Sequence, residues 1–143
     1  MYFVSATRLK LSSVIYLPRF MSANGSSVKQ LRITAGFMNG KELLDKGLTF
    51  WTLTIWEKDA DMKSFRNSPP HRKAMQQLSV WCNEATYLHW LQEEPQLPAW
   101  NIVYERMIKE GVVSKVRNAT ERHLSKSIPP IKWTKTERKF KPA

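Results

Sequence analysis

The stretch from 48 to 57 constrains this chain most. Its β-branched and aromatic residues read as a strand, in which Trp51, Leu53 and Ile55 point one way and Phe50, Thr52, Thr54 and Trp56 the other. Neither face carries a charge, so neither is suited to water. Residues 37 to 44 form the partner strand across the glycine-bearing turn Asp45-Lys46-Gly47, which makes a hairpin. Whatever surrounds this hairpin has to cover it front and back.

A chain of 143 residues with 42% hydrophobic content builds one domain with one core. Its six Trp, six Phe, four Tyr and six Met are enough to fill that core and to line a pocket or an interface as well. In a domain this small, helices cover one face of an antiparallel sheet and leave the other open. The two-sided hairpin therefore predicts that the sheet meets a second copy of itself.

Along the rest of the chain, residues 2 to 8 alternate as a first strand. Val14, Leu17, Met21, Val28, Leu31 and Ala35 then recur at helical spacing, in a segment that Pro18 and Gly25 weaken or divide. After the hairpin, Asp59 is placed to cap a short helix running to Asn67, with Met62 and Phe65 inward. Ser68-Pro69-Pro70 restarts the chain as a second helical segment, in which Met75, Leu78, Cys82 and Ala85 form an apolar stripe from His71 onward. Residues 86 to 92 alternate as a fourth strand, and a last helix runs from about Pro98 to Gly111 with Trp100, Val103, Tyr104 and Met107 on one face.

The order is strand, helix, strand, strand, helix, strand and a final helix. This predicts an α+β, ferredoxin-like βαββαβ domain over residues 1 to 111, with a four-stranded antiparallel sheet and an extra C-terminal helix. Residues 112 to 143 hold Pro129, Pro130 and Pro142 among scattered basic residues, with Ile131, Trp133 and Phe140 isolated and no sustained period. They read as a basic arm that wraps a partner or stays mobile. The charge is uneven: residues 1 to 108 carry 13 Lys and Arg against 9 Asp and Glu, an excess of 4, and residues 109 to 143 carry 10 against 3, an excess of 7. No signal peptide or membrane span is expected, and the protein is expected to be cytoplasmic. A lone Cys82, without CxxC or His-rich spacing, gives no disulfide or zinc framework.

Over about residues 1 to 95 the sequence resembles the dimeric α+β barrel superfamily, in particular the antibiotic-biosynthesis-monooxygenase-like proteins. The resemblance is carried by Gly36-Phe37, Phe50-Trp51-Thr52-Leu53-Thr54-Ile55-Trp56-Glu57, Met62, Phe65-Arg66-Asn67-Ser68, His71-Arg72, Ala74-Met75 and His89-Trp90. It implies a homodimeric α+β barrel, and it speaks more to fold than to activity, since the superfamily includes cofactor-free oxygenases of aromatic substrates, heme-degrading enzymes and small-molecule binders. Heme-degrading members use an Asn on the first strand with a Trp and a His after the third. The aligned positions here are Thr7, Phe65 and Met75, which depart from that pattern.

The candidate catalytic residues are His71, Arg66 and Asn67. His71 falls in the first turn of a helix, where the positive end of the dipole keeps an imidazole neutral. Arg66 and Asn67 end the preceding helix, so a guanidinium, an amide and an imidazole can converge on one oxygen-bearing ligand. The same positions also suit packing and capping. Trp51, Phe65, Met75, His89 and Trp90 are the candidate substrate-binding residues, a wall for a flat ring, although such residues also form plain core. Cys82 has no basic neighbour to activate it, and Glu93-Glu94 points to opposite faces.

The expected function is a monooxygenase-like enzyme acting on a small aromatic or polyene metabolite without a cofactor or metal. The rival readings are a non-catalytic binder of a hydrophobic ligand and a heme-binding protein. The expected partners are a second copy and a small hydrophobic or aromatic molecule, not a nucleic acid or a membrane. One further reading interleaves Lys115, Arg117, Lys126, Lys132, Lys135 and Lys139 with Trp133 and Phe140 as single-strand binders do.

Overall fold

The central hairpin forms as the alternation requires. In the computed structural model, which describes residues 1–143, β2 (Phe37–Asp45) pairs antiparallel with β3 (Thr49–Trp56). Gly47, at φ +74°, and Leu48, at φ +57°, supply the left-handed backbone of the turn. The Asp45 carboxylate holds this turn by accepting from the Lys46 amide at 2.8 Å. β1 (Tyr2–Leu11) lies between β3 and β4 (Cys82–Gln92), antiparallel to both.

Helices α1 (Leu17–Ile33), α2 (Asp59–Asn67) and α3 (Pro69–Trp81) cover one face of the sheet. Phe3, Phe37, Trp56, Met62 and Phe65 interlock beneath them, and Phe20, Phe50 and Trp81 form a neighbouring cluster. Each such side chain, once buried, contributes roughly 1.5–3 kcal/mol. α1 is one continuous helix rather than two, because Pro18 sits in its first turn, where no amide hydrogen is needed, and Gly25 meets nothing that would break it. Its buried residues are Phe20, Ser27 and Leu31, whereas Val14, in a 3₁₀ turn before the helix, and Met21 face outward. The cap of α2 is Lys58 rather than Asp59, which is the first helical residue and pairs with Lys63. α3 ends at Trp81, and the strand starts at Cys82, so Cys82 and Ala85 are strand core; Met75, expected inward, is 44% exposed.

The other face carries Val4, Ala6, Leu43, Trp51, Leu53, Ile55 and Leu88. Here the expectation that a second copy must cover the sheet loses its premise. Trp100, Val103 and Met107 of α4 (Trp100–Glu110) lie on this face, and Ile128 and Ile131 of the arm pack beside them. The chain covers both faces itself.

The sheet has six strands rather than four, in the order β5-β4-β1-β3-β2-β6. The extra two come from residues 112 to 143. β5 (Val112–Val113) adds to β4, and β6 (Arg138–Phe140) adds to β2, so the arm closes both edges of the sheet. The short helix α5 (Glu121–Ser125) packs at β4 between them. Two-residue and charged three-residue strands carry no alternation that a sequence reading can detect. No helix is long and apolar enough to cross a membrane.

Candidate functional site

The α2–α3 corner and the strand ends beneath it bring chemistry together. Ser68 makes the corner: its hydroxyl donates to the Phe65 carbonyl at 2.6 Å, closing α2, and its extended backbone starts α3 at Pro69. This sharp reversal sets His71 back against Phe65, with ring centroids 4.4 Å apart. Phe65 in turn packs on Trp56, whose indole nitrogen donates to Thr54 Oγ1 at 2.9 Å.

His71 Nδ1 is buried with no hydrogen-bond partner. Burial, and after it the positive charge of Arg66, lowers its pKa from 6.5 to about 4. The ring is therefore neutral at pH 7. His89, half-buried on β4, is also held below its ordinary value by burial and then by Arg66 and Lys63. Its ring packs 5.1 Å from Phe3 and 5.5 Å from Tyr87. Two uncharged imidazoles thus share the field of one guanidinium, with aromatic rings beside both.

A shallow, open cleft of about 280 Å³ lies at the corner, lined by Arg66, Asn67, Arg72, Met75 and Gln76. Four of these five side chains are polar. Arg72, Met75 and Gln76 recur at spacings of three and four, which sets them on one face of α3. Arg72 and Gln76 were not among the residues expected in a site, and neither were Phe3, Tyr87 and Lys63. The helical spacing is the signal that could have found the first two. Phe3 and Tyr87 become neighbours of His89 only through the β1–β4 register.

Arg66, Asn67, His71, Phe65, Met75 and His89 thus belong to one side of the sheet. Trp51 and Trp90 do not join them. Trp51 is buried on the opposite face with Tyr104 6.4 Å away, and Trp90 on that same face lies under the Arg106 guanidinium at 4.9 Å. Alternation predicts which residues share a face, not which face the helices take. Cys82 is buried, which pushes its thiol up to about 12 and leaves it protonated.

Nowhere do three or more His, Cys, Asp or Glu side chains gather as ligands for a metal. A porphyrin does not fit the corner cleft either, since the cleft is open, Met75 is the one apolar residue lining it and no His lines it.

No protein-family model matches the sequence, and no curated protein matches it. Solved structures do match the fold. SnoaB, a cofactor-independent oxygenase from Streptomyces nogalater, superposes with a TM-score of 0.56 at 12% identity over 68% of this chain and 98% of its own. The fold is that of the antibiotic-biosynthesis-monooxygenase-like proteins. Rv0793 from Mycobacterium tuberculosis gives a TM-score of 0.59 at 8% identity, over 66% of this chain and 97% of its own. Another structure, described as an antibiotic biosynthesis monooxygenase, gives 0.56 at 10%, over 66% and 100%. Each neighbour is covered almost whole while a third of this chain is left over. The ferredoxin-like βαββαβ arrangement is thus shared.

Proposed function

We propose that this chain is a cofactor-independent, monooxygenase-like enzyme that acts on a small aromatic metabolite at the α2–α3 corner. The observation that carries the reading is the buried, unpartnered Nδ1 of a neutral His71 beside Arg66. A resemblance in fold to a cofactor-independent oxygenase supports the chemistry without assigning it. Ionising a phenolic hydroxyl raises the electron density of its ring, so that the ring itself can give electrons to oxygen. The residues here would bind and ionise such a hydroxyl.

The proton balance decides the division of labour. A phenol near pKa 10 and an imidazole near 4 differ by about 6 units, roughly 8 kcal/mol, too much for His71 alone. Arg66 closes part of that gap by stabilising the phenolate, and the phenolate offsets the smaller, charge-driven part of the lowering of both imidazoles, burial being the larger cause. Arg66 is therefore the orienting and stabilising group, with His71 as proton acceptor and His89 as a second polar contact. Phe65, against which His71 packs, provides the ring contact. The polar lining of the cleft speaks against a store for a purely hydrophobic ligand.

Oxygen uptake with a panel of hydroxylated naphthalenes and anthrones, product being followed by mass, tests the proposal. Turnover that drops at least about tenfold in His71→Ala and Arg66→Gln is expected, in line with loss of general-base and electrostatic assistance. Absence of turnover across the panel, or rates unchanged in both variants, would remove it.

A further inference from the structure

Between Met62 and Val80 the chain carries Lys63, Arg66, Arg72 and Lys73 and no Asp or Glu. The topology folds this run into the α2–α3 corner. The acidic residues of α2, Asp59 and Asp61, lie in its first turn, at the far end from the corner, and α3 has none in its first turn. Arg66 and Arg72 make no ion pair and no side-chain hydrogen bond, although Arg8, Lys41, Lys63, Arg106 and Arg138 all find carboxylates. Both unpaired guanidiniums line the same cleft with two carboxamides, Asn67 and Gln76. The buried Nδ1 of His71, across the corner from Arg66 at the start of α3, also lacks a partner.

We infer that the corner cleft is a carboxylate subsite and that its ligand is an aromatic acid rather than a neutral ring. This rests on the proposed site and names its substrate class. The physical reason is complementarity: guanidinium forks match a carboxylate in a bidentate way, and the carboxamides can donate to its remaining lone pairs. Met75 supplies the one apolar edge of the cleft. Bound there, the carboxylate anchors the ring at the α2–α3 corner.

Calorimetric titration under argon, with 1-hydroxy-2-naphthoate against its neutral carboxamide, separates this from the activity. The acid should bind about tenfold tighter or more than the amide, which is about 1.4 kcal/mol. The preference should fall below about twofold in Arg66→Gln/Arg72→Gln and persist in Arg106→Gln/Lys109→Gln, which removes the same charge from the opposite face; circular dichroism checks the folding of each variant. Equal binding of acid and amide, no binding of either, or a preference that survives in Arg66→Gln/Arg72→Gln overturns the inference. So does displacement of the acid by equimolar inorganic phosphate, which would mean attraction of any anion. Tight, Arg-dependent binding without oxidation in air would leave the subsite standing and remove the oxygenase. Oxidation of a neutral naphthol with no preference for the acid would do the reverse.

Discussion

The His71 ring lies against Phe65 at 4.4 Å between centroids, tilted by 36°, and its Nδ1 is buried without a hydrogen-bond partner. A stability effect follows from the pKa of about 4. In the unfolded chain the imidazole titrates near 6.5, so between those values the unfolded state holds a proton that the folded state does not. His71 therefore contributes stability that is full above about pH 6.5 and is lost as pH falls toward 4, on the order of 3 kcal/mol in all. Urea midpoints from pH 4 to 8 should slope upward, and His71→Phe should flatten the slope by about one proton. His89, lowered in the same direction, should account for what slope remains. Superimposable curves for the two proteins would refute this account of His71.

On the opposite face, Arg8 Nη1 donates to Glu84 Oε1 at 2.8 Å, and the two side chains are only 4% and 5% exposed. Thr120 of the arm donates to the other carboxylate oxygen at 3.0 Å. Such a pair is costly to desolvate, and removing one member strands the other charge in the core. Glu84→Leu should destabilise by about 3–5 kcal/mol, while Arg8→Met/Glu84→Leu should recover most of the loss. Chemical denaturation of the four proteins measures the coupling. Simple additivity of the two single changes would show that the pair is not acting as a unit.

Two glycines should respond with opposite signs to the same substitution. Gly36 has φ +87°, and an added Cβ would fall on the Asp61 carboxylate. Gly36→Ala should therefore cost at least 1–2 kcal/mol, roughly the penalty for a left-handed alanine alone. Gly25 is inside α1 with nothing within 4 Å of an added Cβ. Gly25→Ala should stabilise by about 0.5–1 kcal/mol through helix propensity. Thermal midpoints moving the same way in both variants would contradict this reading.

Period-two alternation makes the hairpin and its neighbours legible in the sequence, because a strand that buries both faces leaves a run of uncharged β-formers. The same alternation paired Trp51 with Leu53 and Ile55 correctly but could not say that this side meets α4 rather than α2 and α3. Helical spacing misled at Met75, Leu78, Cys82 and Ala85, since three- and four-residue steps continue smoothly across the α3–β4 junction at Trp81 and Cys82. Arg66 and His71 were legible because helix ends announce themselves with Ser and Pro. Ile128, Ile131 and Phe140 were not, because their burial is set by surfaces far away in sequence.

The arm inserts Phe140 beside Phe37, rests Ile128 and Ile131 on the second face, and supplies both edge strands. It is fastened by polar contacts along its length: Lys132 N donates to Asp45, Thr136 bonds to Leu44, Arg138 pairs with Glu42, and Tyr104 donates to the Ile128 carbonyl. Phe140 alone is worth roughly 1.5–3 kcal/mol of burial. With faces and edges covered by its own residues, the whole chain is expected to sediment as a monomer. A chain ending at Gly111 exposes β2 and β4 as open edges and uncovers part of an apolar face, so it should unfold at lower urea and self-associate as concentration rises. Sedimentation velocity of both proteins decides the matter. A truncated chain that keeps its midpoint and stays monomeric would show that the arm covers nothing the fold needs.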